Sequence, residues 1–119
     1  MDEKITINVF EIVGSPLCVA SDDGQKVYER IGNPMRQGCS VELSFVNITS
    51  LTPAFLNTAI GQLYGEFTEE EIRAKLAVKA MEPDDLFLLK RVVETAKAYF
   101  NNPELHKKVT EELLGGLNG

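Results

Sequence analysis

Strand-like and helix-like segments alternate along this chain, and that alternation limits its fold more than any other feature. Residues 4–13, KITINVFEIV, place Ile5, Ile7 and Val9 on every second position before the phase slips at Phe10. This is the β period, with a bulge or bend expected at the slip. Gly14, Ser15 and Pro16 make a turn, and LCVA after it is a short strand candidate, so a hairpin is the expected opening element. Asp22 and Asp23 sit where a helix would be capped, ahead of Val27, Ile31 and Met35. That helix is expected to end or kink near Arg30 to Gly32, because Pro34 lacks an N–H and clashes with the carbonyl four residues back.

The stretch GCSVELSFVNI alternates Val41, Leu43 and Phe45, with Val46 and Ile48 beyond, as a largely buried central strand would. Thr49, Ser50, Leu51, Thr52 and Pro53 follow. Thr52 is a favoured N-cap residue and Pro53 suits the first helical position. A helix over about Pro53 to Tyr64 buries Leu56, Ala59, Ile60 and Leu63, and Gly61 inside it points to a close neighbour. After an acidic connection from Gly65 to Glu71, residues 74–80 alternate as a strand with one wetter face. Pro83 and Asp84 start a strong amphipathic helix carrying Leu86, Leu89, Val92, Val93, Ala96 and Tyr99. A last helix is expected from Pro103, with Leu105, Val109 and Leu113 on one side and Gly115 and Gly116 as its stop.

The predicted order is β-β-α-β-α-β-α-α: one α/β domain with a mixed sheet of about four strands packed with helices, parallel pairs included. A chain of 119 residues is enough for one apolar core. The domain is expected over 1–102, with 103–119 packed on it or extending it.

Charge and cysteine content remove several function classes. The net charge of −6 is spread over both halves and no Lys/Arg cluster or Trp is present, which argues against a nucleic-acid binder. Cys18 and Cys39 fit no metal spacing and read as free thiols of a cytoplasmic protein. The opening MDEKITINVF is no export signal, and no apolar run approaches a membrane span. Asn47-Ile48-Thr49 matches a glycosylation sequon, which has no use without a secretory route. Gly24, Gly32 and Gly38 form no phosphate loop, since the Gly-Lys-Ser/Thr ending is missing. His106 reads as a solvated surface residue, with no cluster at ligand spacing around it. Glu69, Glu70 and Glu71 read as a solvated helix start. Tyr64, Phe67, Tyr99 and Phe100 read as core or edge aromatics, and as a contact surface if several are exposed together. No cofactor, metal or catalytic set is expected.

The strand VELSFVNI, the hydroxyl-rich turn TSLTPAF, the helix LNTAIGQLYGEF, the strand AKLAVKAM and the long helix after it resemble the STAS-like domain family, as does the upstream DDGQKVYERIGNPMRQG. The resemblance covers about residues 5–100. STAS domains proper, named for sulfate transporters and anti-sigma-factor antagonists, are non-catalytic α/β modules. In the antagonists, a serine at the start of the helix after a central strand is phosphorylated by a partner kinase of the histidine-kinase-like ATPase fold. The resemblance therefore implies a regulatory module that binds such a partner, with the site at Thr49, Ser50, Thr52, Ala54 and Asn57.

The decisive positions depart from the antagonist pattern. Pro53 and Ala54 stand where the antagonists have two serines, and Thr52 stands in place of an aspartate. For Thr52 itself, capping worth about 1 kcal/mol competes with a regulated hydroxyl. Thr49 and Ser50 also read as turn residues satisfying backbone groups. The alternative function is a small-molecule or anion-binding domain that uses the helix N-terminus near Thr52 as its cradle. A closed apolar pocket beside Thr52 would favour that alternative, and a flat or convex surface the partner module. A structural homo-oligomer is a third reading, which a large apolar patch would support.

Overall fold

Three parallel strands form the centre of the protein, and their order follows from which residues must leave water. The computed structural model describes residues 3–101. Strand β1 (Lys4–Asn8) pairs with β3 (Ser40–Ser44), and β3 with β5 (Leu76–Lys79), giving the order β1-β3-β5. The register sets Ile7 beside Leu43 and Leu43 beside Val78. One sheet face thus carries Ile7, Val41, Leu43 and, just past the strand end, Phe45, all buried. The alternate positions Lys4, Thr6, Ala77 and Lys79 are exposed, and on that side Lys4 pairs with Glu42 at 2.8 Å.

The helices supply the other half of the core. Helix α2 (Ser21–Arg36) buries Val27, Ile31 and Met35, α3 (Pro53–Ala59) buries Phe55, Leu56 and Ala59, and α5 (Pro83–Asn101) buries Val92 and Ala96. Each fully buried Leu, Ile, Val or Phe contributes on the order of 1.5–3 kcal/mol. The α/β single-domain architecture read from the alternation is the one that forms.

Particular elements differ from their sequence-based expectation. Among the described residues no opening hairpin forms. The apolar run that slips phase at Phe10 closes instead into a short helix, α1 (Val9–Val13), with the Asn8 side chain accepting the Phe10 N–H at 3.1 Å and Gly14 ending it at φ 76°. Val9, Ile12 and Val13 have helical spacing and pack on the core, which is why the β alternation stops there. Strand β2 (Leu17–Cys18) then pairs, parallel, with β4 (Ser50–Leu51) in a second small sheet.

Helix α2 does not end at Gly32 but continues through Pro34. That proline lies in the last turn, so only the bond to the Arg30 carbonyl is forfeited, while Ile31, Gly32 and Met35 are buried beside it. Its N-cap is Ala20, with no side-chain cap, and Asp22 and Asp23 lie inside the first turn, where they favour the helix dipole. Strand β3 stops at Ser44 because the chain turns at Asn47, φ 67°. Helix α3 ends at Ala59 and passes into a 3₁₀ turn over Gly61–Gly65, and Gly61 does lie against Ala96 of α5. Glu69, Glu70 and Glu71 open helix α4 (Glu69–Lys75), whose N-cap Thr68 exchanges hydrogen bonds with Glu71. Ala74 and Lys75 therefore belong to α4, and β5 begins only at Leu76. Tyr64 and Phe67 pack against the core, and Tyr99 meets Phe100 edge-on at 4.7 Å. The helix expected from Pro103, and His106 within it, lie outside the described residues.

Candidate functional site

The hydroxyl-rich turn is held by backbone groups of the segment before and after β2. The N–H groups of Thr49 and Ser50 both donate to the Pro16 carbonyl, at 2.9 and 3.3 Å, and the Thr52 N–H donates to the Cys18 carbonyl at 3.2 Å. The Thr49 hydroxyl also donates to the Pro16 carbonyl, at 3.4 Å, and Ser50 belongs to β4, so these two residues are tied to a segment distant in sequence and not by the expected local turn bonds. Thr52 uses its hydroxyl twice. It accepts the Phe55 N–H at 3.2 Å, which is the N-cap bond, and donates to the Val19 carbonyl at 2.9 Å.

Ala54 and Asn57 lie on the exposed side of α3. The Ala54 carbonyl accepts the Thr58 hydroxyl at 3.0 Å, and the Asn57 side-chain oxygen lies over Gly61. The five residues Thr49, Ser50, Thr52, Ala54 and Asn57 occupy the connection into α3 and its outer face. Beside them the β2–β4 pairing brings two aliphatic side chains that spacing alone does not assign to this surface, Leu17 and Val19, 49% and 46% exposed. LCVA reads as a strand in the sequence, but its partner β4 is a two-residue element with no periodicity of its own.

As an anion cradle the start of α3 is thinly equipped. Pro53 has no N–H, and that of Phe55 is already taken by Thr52, leaving only the Ala54 donor among the first three residues. No Lys or Arg lies between Arg36 and Arg73 in the sequence. Beneath the turn, Cys18 is fully buried, and burial pushes its thiol up to about 11, with Asp23 adding to the shift. It is therefore a neutral packing group, not an activated nucleophile. Among the described residues no cluster of His, Cys, Asp and Glu could hold a metal ion, and no helix is long and apolar enough to cross a membrane.

At the carboxyl ends of β3 and β5, the end where open α/β sheets commonly bind ligands, lies an open groove of about 360 Å³. Phe45, Ile48, Leu51 and Met81 form its apolar part, and Glu82 and Asp85 its acidic side. Leu51 belongs to β4 and immediately precedes Thr52, so groove and turn adjoin.

Residues 23–86 match the family model described as a STAS-like domain of unknown function (DUF4325). The chain belongs to this family. The match spans most of α2, then β3, the turn, α3 and β5, so Thr49, Ser50, Thr52, Ala54, Asn57 and the groove lie within it, whereas Leu17 and Val19 precede it. No curated protein and no solved structure matches it.

A second polar cluster of the STAS-like domain ties α2 to the loop after the 3₁₀ turn. Glu66 accepts from the Tyr28 hydroxyl at 2.6 Å and from two nitrogens of the Arg36 guanidinium, whose remaining nitrogen reaches Asn33 at 2.8 Å. These bonds, that of Arg36 first, hold the Glu66 carboxyl below the ordinary carboxylate range. With all three guanidinium nitrogens and both carboxylate oxygens bonded to one another, to Tyr28 or to Asn33, the cluster joins α2 to this loop.

Proposed function

We propose that this STAS-like domain is a non-catalytic regulatory module that binds a protein partner through Thr49, Ser50, Thr52, Ala54 and Asn57, together with Leu17 and Val19. The observation that carries this reading is the exposure of Leu17 and Val19 beside a turn in which the N–H groups of Thr49, Ser50 and Thr52 and the hydroxyls of Thr49 and Thr52 are bonded internally. Aliphatic side chains left half in water next to a rigid, self-satisfied turn suit a preformed protein contact, in which apolar anchors contribute most of the affinity. The nature of the partner follows from the family resemblance: an ATPase of the histidine-kinase-like fold, in the cytoplasm, supplying whatever ATP chemistry the pair performs. That step is an argument by analogy of fold.

Affinity purification of the tagged chain from its own cells, beside an Ala54→Arg variant of unchanged circular dichroism, tests the proposal. The expected result is an ATPase of that fold recovered with the wild type and lost with the variant, and intact mass reports any phosphate on Thr49, Ser50 or Thr52. Recovery of the bare chain, or of the same partner with Ala54→Arg, overturns it. Binding of inorganic phosphate at the Ala54 N–H in an amide-shift titration would favour the anion-binding alternative instead.

A further inference from the structure

We infer that the groove between β4 and the start of α5 receives an arginine or lysine side chain, flanked by an apolar residue, from the partner protein; this rests on the reading of the chain as a protein-binding module. The groove has two chemistries side by side. Phe45 is 2% exposed and, with half-buried Ile48, Leu51 and Met81, gives an apolar floor. Glu82 and Asp85 stand along one side, and neither carboxylate has an ion pair or side-chain hydrogen bond among the described residues. Asp85 lies in the first turn of α5 and so also favours the helix dipole, but Glu82 precedes the helix and its carbonyl receives the Leu86 N–H.

A long cationic side chain satisfies both chemistries at once, because its methylene stem covers apolar surface while its head stays at the carboxylates. An acidic or phosphorylated occupant would meet these carboxylates on a chain of net charge −6 and be disfavoured. The volume of about 360 Å³ is at the small end for ligand pockets and suits one or two side chains. Val46, 41% exposed, extends the apolar wall outward, and Leu51 joins the groove to the turn at Thr52, so one partner can cover both.

The test is an amide-shift titration of the full chain, labelled with nitrogen-15, against three blocked synthetic tetrapeptides: Leu-Arg-Leu-Arg, Ser-Arg-Ser-Arg and Leu-Glu-Leu-Glu. The first should shift Val46, Ile48, Met81, Glu82 and Asp85. The second should bind about fivefold more weakly and the third not at all. A Glu82→Gln, Asp85→Asn double variant should weaken the first peptide about fivefold, while Glu29→Gln, Glu70→Gln, which removes the same charge elsewhere, should not. Absent shifts, shifts outside the groove, equal response to the acidic peptide, or equal loss with both double variants overturns the inference. Partner capture by Ala54→Arg is read separately. A groove result that fails while capture is still lost in Ala54→Arg removes only this inference, whereas unchanged capture removes the module reading.

Discussion

The Thr52 hydroxyl donates to the Val19 carbonyl at 2.9 Å, and this bond joins the start of α3 to the strand segment that carries Leu17 and Val19. Since the same oxygen caps α3 through Phe55, one side chain serves two backbone groups.

Replacing Thr52 by Ala is expected to cost about 1–2 kcal/mol in urea unfolding, because both bonds are lost. Ser at this position should restore most of it. Asp keeps the cap acceptor but has no proton for Val19, and should fall between the two. A phosphate on Thr52 would likewise replace the donor by acceptors, so modification there must loosen Val19 as well as add charge.

The Glu66 cluster predicts a pH dependence. The Glu66 carboxyl is held below its unfolded range by Arg36 and Tyr28, so the folded state binds its proton less readily than the unfolded one. Its contribution is present above the unfolded carboxylate value of about 4.3 and is lost as pH falls through the lower folded value. The difference in urea midpoint between wild type and Glu66→Gln should therefore be largest at about pH 6 and shrink toward about pH 3. Added salt should reduce it too, since the pair is partly solvated.

The strands β1, β3 and β5 and the helices α2, α3 and α5 were legible because their apolar positions repeat with the period of the element they form. Thr52 and Pro53 were legible for a different reason, the steric and hydrogen-bonding rules of a helix start. The elements that escaped are those set by a short local cap within an apolar or acidic run, α1 and α4, and those set by long-range pairing, β2 and β4. Val9–Val13 continues an apolar run from β1, and only the Asn8 cap and the Gly14 stop separate it from a strand. Pairing of Leu17 with Ser50 joins segments far apart in sequence, and β4 is too short to announce itself. For that reason the exposed aliphatics and the groove beside Thr52 were invisible until the chain was folded, whereas Thr49, Ser50, Thr52, Ala54 and Asn57 came from the family resemblance.

Ala80 tests the groove wall. It follows β5 directly, at φ 58°, a left-handed conformation that an alanine adopts at a cost of about 1–2 kcal/mol. Ala80→Gly should stabilise the protein by about 1 kcal/mol, seen as a rise of roughly 4 °C in thermal midpoint. Asn47 lies on the same groove at φ 67°. Asparagine tolerates this region, so Asn47→Gly should gain much less.

Gly24 sets how closely α2 approaches α3. A Cβ placed on it would stand 2.7 Å from the Phe55 carbonyl oxygen, 3.0 Å from the Thr58 Cβ and 3.3 Å from the Ala59 N. Helix propensity alone would make Gly24→Ala favourable by about 1 kcal/mol. The obstruction, however, includes backbone of α3, which cannot swing aside as a flexible side chain could, and overpacking of this kind costs about 1–3 kcal/mol. The variant should therefore lose stability by about 1 kcal/mol net of propensity, the packing cost outweighing the helical gain. It should also shift the amide resonances of Thr52 to Ala59 more than those of α5, because relief of the clash requires α3 to move outward from α2. If Gly24→Ala is instead stabilising, α3 yields without cost, and the start of α3 is not the rigid surface on which the proposed partner contact depends.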